Sequence, residues 1–487
     1  MPAEVRMPEP DSRRRYLILG ICCLSLLIVG LDNTIVNVAL PSIRRELHAS
    51  VSGLQWTVAA YTLVLASLLM VSGSTADRIG RRRVFQTGLA TFTAASLLCS
   101  LAPSLGWLIA FRMLQAVGGS MLNPVAMSII TNTFTDRAER ARAVGVWGGV
   151  FGISMALGPV VGGVLVATVG WRGIFWVNVP IGLAGIVLTR LFVPESRAPR
   201  PRRIDPAGQL LIIVMLGALT YAIIEGPGAG WASAKIIFFF ALSAAALVTL
   251  LLYEPRREEP LINLQFFRSV PFAGATVIAV SSFAALGGFL FLNTLYLQDA
   301  RGLSALQAGL YTLPVGAMIL IFAQLSGRLV AGRGPRLPLL LAGLGMTAGS
   351  AALTGVASNT STGWLLASYV IFGVGFGLVN VPITTAAVAG MPIAQAGVAA
   401  GIASASRQVG QSLGVAVVGS LVTAGLHGQL RTSFAAASHA GWWTLAGCGA
   451  AVFCLGLITT SRWALGTAAR TAAKLQPGEA RAPVRTP

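Results

Sequence analysis

The chain has 487 residues, of which 55% are hydrophobic and only 10% charged, with a mean hydropathy of +0.75. Those figures exclude a soluble globular fold and imply an all-α polytopic membrane protein. The formal net charge of +19 does not mark a nucleic-acid groove, because the basic residues form no single stripe among aromatics and instead punctuate apolar runs on alternate sides.

Fourteen apolar runs are predicted as spans, at 16–40, 53–75, 84–102, 106–130, 143–167, 174–193, 207–225, 234–253, 272–296, 306–327, 337–357, 364–390, 397–424 and 441–461. The first is too long for a signal-peptide core and no cleavage site follows it, so it is expected to be retained. Placing the N-terminus inside leaves only Arg44, Arg45, Arg172, Lys235, Arg301 and Arg431 on the outer side, with Arg112 and Arg407 inside runs. The other basic residues then face the cytoplasm, as do both termini. The five cysteines, Cys22, Cys23, Cys99, Cys448 and Cys454, all lie in apolar stretches and lack metal-ligand spacing.

The first run, LILGICCLSLLIVGLDNTIVNVAL, carries one acid, Asp32. At the helical rise it lies roughly 25 Å from Arg15 and roughly 16 Å from Ile43. A carboxylate at that depth is costly unless paired or functional.

After the second run comes Gly73-Ser-Thr-Ala-Asp77-Arg78-Ile-Gly80-Arg81-Arg82-Arg83. Its glycines permit a tight turn. Asp77 is expected to pair with Arg78, or with a charge on a neighbouring bundle, as a conformational latch. The matching loop of the second half, Gly327 to Gly334, keeps both glycines but has Ala331 and Gly332 in place of the charged pair.

Arg112 enters the fourth run about 12 Å from the outer face. Asp32 lies at similar depth, so a buried pair is expected. Such a pair serves structure alone, or leaves a carboxyl that exchanges a proton as its surroundings wet and dry. In the fifth run Ser154-Met-Ala-Leu-Gly158-Pro159-Val-Val-Gly162-Gly163 offers a close-packing face and a proline break, which suits tight packing and gating alike.

An internal repeat divides the chain. Trp107 to Asn123 aligns without gaps on Trp364 to Asn380, and Leu157-Gly158 corresponds to Leu413-Gly414. The repeat counterpart of Arg112 is Tyr369. Parallel repeats of this kind place a pathway between two bundles. The expected division is a cytoplasmic tail at 1–15, a six-helix bundle at 16–193 and a basic cytoplasmic linker at 194–206. Two inserted helices at 207–253, a cytoplasmic linker at 254–271, a second six-helix bundle at 272–461 and a cytoplasmic tail at 462–487 complete it.

Other polar groups within runs are Asn33, Asn37, Gln55, Tyr61, Gln115, Asn123, Asn380, Arg407, Gln408 and Gln411. Each is read as an interhelical hydrogen-bonding group or a substrate-cavity contact. Arg407 has no acidic neighbour in sequence and suits either an anionic substrate or amide and carbonyl partners. Glu225, beside Gly226-Pro227, is expected to be in water.

The Gly73 to Arg82 spacing matches the loop signature of the major facilitator superfamily, and Gly158 to Gly163 resembles the antiporter motif of its drug exporters, with Ser154 where that family usually has Gly. Three further stretches are similar to its fourteen-span drug:proton antiporter family: Leu31-Asp-Asn-Thr-Ile-Val-Asn-Val-Ala-Leu-Pro41, Trp171-Arg-Gly-Ile-Phe-Trp-Val-Asn178, and Arg407-Gln-Val-Gly-Gln411. Tyr296-Leu-Gln298 and Gln307-Ala-Gly309 add to the likeness. The resemblance implies a major facilitator fold of two six-helix bundles plus two inserted helices. It also implies proton-driven export of lipophilic, often cationic or antibiotic-like compounds across a bacterial cytoplasmic membrane, with Asp32 binding proton or substrate. The partners expected are small lipophilic molecules, protons and the bilayer, with no nucleic acid and the chain a monomer. No enzyme activity, cofactor or metal is expected, and the missing Gly-x4-Gly-Lys-Ser/Thr loop excludes an ATP-driven pump. The rival readings are an exporter or symporter of one endogenous metabolite, a nutrient carrier, and a membrane sensor.

Overall fold

The computed structural model describes residues 12–198, 205–257, 259–426 and 430–475, and its regular structure there is helical. A segment in lipid must satisfy its own backbone polar groups, and only a helix does so locally. The first group comprises α1 Ser12–Leu47, α2 Val51–Ile79, α3 Arg81–Ser100, α4 Leu105–Thr133, α5 Arg137–Val169, the single turn α6 Gly173–Trp176 and α7 Asn178–Phe192. Next come α8 Pro206–Ala229 and α9 Ala234–Tyr253. The second group is α10 Val270–Leu295, α11 Ala305–Arg333, α12 Arg336–Ala351, α13 Thr362–Val388, α14 Ile393–Gly425 and α15 Leu430–Thr459, followed by α16 Arg462–Leu475.

Each of the fourteen apolar runs falls on a helix. Among the described residues, however, eleven helices are long and apolar enough by themselves to cross a bilayer. The three runs left out explain the difference. α3 starts on Arg81, Arg82 and Arg83, α12 has 16 residues, and α14 carries Arg407, Gln408 and Gln411 among small residues. Helix starts follow capping chemistry: Ser50 accepts from Gly53 N at 3.1 Å, and Asp136 accepts from Ala138 N and Glu139 N at 3.0 and 2.8 Å.

The repeat is visible in packing. Gly118 of α4 sits against the backbone of Gly88 on α3, and its counterpart Gly375 of α13 sits against Gly345 on α12. A side chain at either glycine would collide with main chain, so both helix pairs need the same small residue at the same crossing.

The two groups meet along α5 with α11 and α2 with α14. Contacts concentrate at one end. Gly309 abuts Pro159, Gly316 abuts Ala156, and Gly152 abuts Leu320. Further along the same helices, a Cβ at Gly145, Gly148 or Gly149 of α5, or at Gly327 of α11, would meet nothing within 4 Å. The same holds for Gly397 and Gly401 near the start of α14. The groups thus form a V, closed where α1 ends and open where α5 and α14 begin.

α8 covers the α2–α14 seam: Gln209 Nε2 donates to Ser67 O at 2.5 Å, and Ser420 Oγ donates to Ile223 O at 2.5 Å. α9 packs on the outside of α8 and leaves Phe238, Val248 and Leu252 exposed, as a lipid-facing helix does.

Two segments outside the bundles carry structure of their own. Residues 254–271 contain two short 3-10 turns, with Phe266 buried against Phe272. The segment after residue 461 begins with a helix, α16, held to α10 by Val270 N donating to Thr467 Oγ1 at 2.9 Å. The tail before residue 12, the linker basic residues Arg200, Arg202 and Arg203, and the tail beyond 475 lie outside the described residues.

Candidate functional site

Asp32 and Arg112 form one ion pair, Arg112 Nη1 to Asp32 Oδ2 at 2.5 Å, with side chains 0% and 1% exposed. Two amides complete the carboxylate's partners: Gln115 Nε2 donates to Oδ1 at 2.8 Å and Asn178 Nδ2 donates to Oδ1 at 3.1 Å. Gln115 also accepts from Arg112 Nη1 at 2.7 Å and donates to Ser96 Oγ at 2.8 Å. Arg112 Nε donates to Thr57 O at 3.4 Å. Its guanidinium lies 4.1 Å from the Tyr61 ring centre and 5.9 Å from that of Phe175. The pair is thus held by α1, α2, α3, α4, α6 and α7 together. A buried pair persists only when its remaining donors and acceptors are also satisfied, and this one is close to that condition.

The stretch Trp171 to Asn178 makes this possible. Trp171 Nε1 donates to Glu46 Oε2 at 2.7 Å, and Arg172 also pairs with Glu46. That contact anchors α6 to the end of α1, placing Phe175 beneath Arg112 and Asn178 on Asp32. Ser96 and Asn178 are site residues that depth reasoning missed. Asn178 was detectable as the last residue of that motif, whereas nothing in the sequence singles out Ser96.

The close-packing motif lies directly behind the pair. A Cβ at Gly158 would strike Thr34, and one at Gly162 would strike Ile35, both on α1 next to Asp32. Gly163 and Pro159 instead face Ala305, Leu306 and Gly309 of α11. One face of α5 therefore fits the acid-bearing helix while the other fits the opposite half.

The loop after α2 corrects two expectations. Gly73 lies within α2, and the turn is made by Gly80 alone, whose φ of +126° favours glycine. Asp77 pairs with Arg81, accepting from Nε at 3.1 Å and Nη2 at 2.8 Å, one helical turn on, and not with Arg78. Arg78 points outward because α2 still has helical geometry there, which turns its side chain away from Asp77. Further anchors are Arg82 N donating to Glu195 Oε1 at 3.1 Å and Arg81 N donating to Ser196 O at 2.9 Å. These bonds tie the loop to the segment after α7, inside its own half.

Bonds between halves lie at the closed end. Asn33 and Gln411 exchange both amide bonds at 3.1 Å, and Gln55 Nε2 donates to Ala416 O at 2.7 Å and Val415 O at 3.3 Å. Gln298 Nε2 donates to Val38 O at 2.8 Å, and Arg44 pairs with Asp299 at 3.0 Å. Asp299 is a third residue that sequence reasoning passed over.

The other polar candidates disperse. Asn37 Nδ2 bonds back to Asn33 O on its own helix, and the Tyr61 hydroxyl is buried with no partner. Asn123 Oδ1 and Gln408 Oε1 are also unpartnered, and Asn380 is half-buried on α13. Glu225 is not free in water: it is half-buried and accepts from Trp56 Nε1 at 2.8 Å, because α8 lies against α2.

The Major Facilitator Superfamily profile matches residues 22–415. The chain belongs to that superfamily. It is a multi-pass membrane transporter, not an enzyme. It is 38% identical over 419 residues to Multidrug resistance protein Stp of Mycobacterium tuberculosis (strain CDC 1551 / Oshkosh), covering 86% of this chain and 78% of the relative. It is 37% identical over 402 residues to the Tetracenomycin C resistance and export protein of Streptomyces glaucescens, covering 82% and 74%. In fold it is similar to a bacterial homologue of the human lysosomal transporter Spinster in an inward-facing, occupied conformation. That match has a TM-score of 0.65 at 17% identity and covers 95% and 98% of the two chains.

Proposed function

We propose that this superfamily member is a fourteen-span exporter that couples inward proton movement to efflux of lipophilic drugs or antibiotics. Two six-helix bundles at 16–193 and 272–461, with helices 207–253 inserted, alternate access around a central cleft. Both termini face the cytoplasm of a bacterial cell, and the working unit is the monomer. The names of the relatives support drug export. The observation that carries proton coupling is the Asp32–Arg112 pair at 2.5 Å, the one acid–base pair sealed inside a bundle among the described residues. Its counterpart in the second half is neutral, so bundle architecture does not require charge at this place.

In this reading the V opens toward the cytoplasm. Substrate enters beside α5 and α14, and closing that end requires the amide and ion-pair bonds at the opposite end to break. Protonation of Asp32 from the outer side weakens its hold on Arg112, releases substrate and favours return to the inward-open form. The motif Gly158 to Gly163 carries the local change at α1 into the α5–α11 contact. The loop from Gly73 to Arg82 braces α2 and α3 as a rigid unit for the same motion. No cofactor takes part.

The test is efflux of a lipophilic dye from energised cells of an efflux-deficient host. Wild type should extrude the dye and stop when the proton gradient is collapsed. Asp32→Asn should reach the membrane in equal amount and extrude none. Gradient-driven efflux by Asp32→Asn at the wild-type rate contradicts the reading. A carrier for one metabolite would show as counterflow of that metabolite alone, with no protection against toxic compounds.

A further inference from the structure

Arg407 sits midway along α14, roughly 21 Å from the start of that helix. Its Nη2 donates to Thr384 Oγ1 at 2.6 Å and its Nη1 donates to Ser404 Oγ at 3.3 Å, both neutral hydroxyls. Its Nε is buried with no partner. Among the described residues, no carboxylate lies within ion-pair reach of it, and Asp299, the acid of the second half, is taken by Arg44. The guanidinium lies 6.0 Å from the ring centre of Phe283, and Phe283 packs on Phe376 with ring centres 5.2 Å apart. A cation at this depth without a counter-charge is costly and marks a pathway or a ligand.

The repeat shows that the bundle does not need it. Arg407 precedes Leu413-Gly414 by the same spacing as Phe151 precedes Leu157-Gly158, so the equivalent residue of α5 is a phenylalanine. The side chain is also not sealed in. Arg407 is half-buried, and Thr384, which it grips, is exposed although α13 is flanked by α10, α11, α12 and α14. The free side of α13 therefore faces the cleft. Gln408, the next residue in sequence, also has a buried Oε1 with no partner.

We infer that Arg407, with Thr384 and Ser404 as flanking hydroxyls and the buried Phe283 ring as its support, forms a cleft subsite for an organic anion, so that the transported compounds include amphipathic carboxylic acids. This rests on the exporter reading only for the direction of transport. The buried Nε–H still lacks an acceptor, and a carboxylate admitted beside the guanidinium would supply one while pairing with its charge. The charged pair Asp32–Arg112 is closed off from such a ligand, which leaves Arg407 to set the charge preference of the cleft.

The test uses the purified full chain in chloride-free buffer, with naphthalene-2-carboxylate and its neutral amide as probes and tryptophan fluorescence as the readout. Wild type should bind the carboxylate roughly tenfold to a hundredfold tighter than the amide. Arg407→Gln should lose that preference while its affinity for the amide is unchanged, Arg407→Lys should keep part of it, and Thr384→Val should weaken it with the arginine intact. The unchanged amide affinity shows that the Gln variant is folded. Equal affinity for both probes in wild type overturns the inference, as does a preference that survives in Arg407→Gln. Full displacement of the carboxylate by millimolar chloride would make this a site for small inorganic ions and overturn it as well. Charge-selective binding without energised efflux would remove the exporter reading and leave the subsite. Efflux with no charge preference would do the reverse.

Discussion

Asn293 stands to Tyr369 as Asp32 stands to Arg112: in each half an α-helix residue bonds across to the buried, repeat-equivalent position of α4 or α13. Tyr369 Oη donates to Asn293 Oδ1, and both side chains are 0% exposed. The same bundle crossing is therefore held by a charged pair in one half and a neutral pair in the other.

That relationship predicts a separation of stability from coupling. Arg112→Leu should destabilise the protein by about 3–5 kcal/mol, since it leaves the Asp32 carboxylate buried without its cation. The double variant Asp32→Asn with Arg112→Tyr copies the second half and should recover most of that loss in thermal unfolding. It should remain inactive in gradient-driven efflux. Recovery of both properties would mean the charges serve structure only.

The close-packing motif predicts opposite outcomes for glycines on one helix. Gly158→Val places a branched side chain against Thr34 and should cost about 1–3 kcal/mol, with a matching loss of folded protein in the membrane. Gly145→Ala points into open space and should be neutral or stabilising by up to about 1 kcal/mol. Comparable melting temperatures for the two variants would remove the packing argument.

The bonds at the closed end predict a shift in conformation. Asp299→Ala removes the partner of Arg44 near the rim, where an ion pair is worth about 1 kcal/mol or less. Combined with Gln411→Ala, which breaks the paired amides with Asn33, it should favour the opposite state. Spin labels at Gly148 and Gly327 should then move closer together, since both positions line the open end. An unchanged distance distribution would show that these bonds do not hold the state.

Within the loop, Asp77→Asn should disturb little on its own. Asp77 is 35% exposed, so loss of its bond to Arg81 should cost under about 1 kcal/mol. Glu195→Ala should cost more, because it frees Arg82 N and removes the cap beneath Gly80. The check is thermal unfolding of the two variants side by side.

The helices were readable because lipid leaves the backbone no alternative, and apolar length then marks each run. Depth along α1 and α4 was enough to pair Asp32 with Arg112, since rise per residue is constant. Partner choice at a helix end was not readable: Asp77 had Arg78, Arg81, Arg82 and Arg83 within reach, and the local helical turn decided for Arg81. Contacts between halves, such as Asn33 with Gln411, depend on which end of the V is closed, and a linear pattern carries no information on state. Glu225 looked wet beside Gly226-Pro227 because the packing of α8 on α2 is set by tertiary structure.

The most direct measurement is proton movement in sealed proteoliposomes containing the purified protein and a pH-sensitive dye. Adding a transported lipophilic compound should drive a pH change with wild type. With Asp32→Asn, reconstituted at equal density, the change should vanish while binding of the compound persists. A drug-driven pH change of wild-type size through Asp32→Asn would contradict the account.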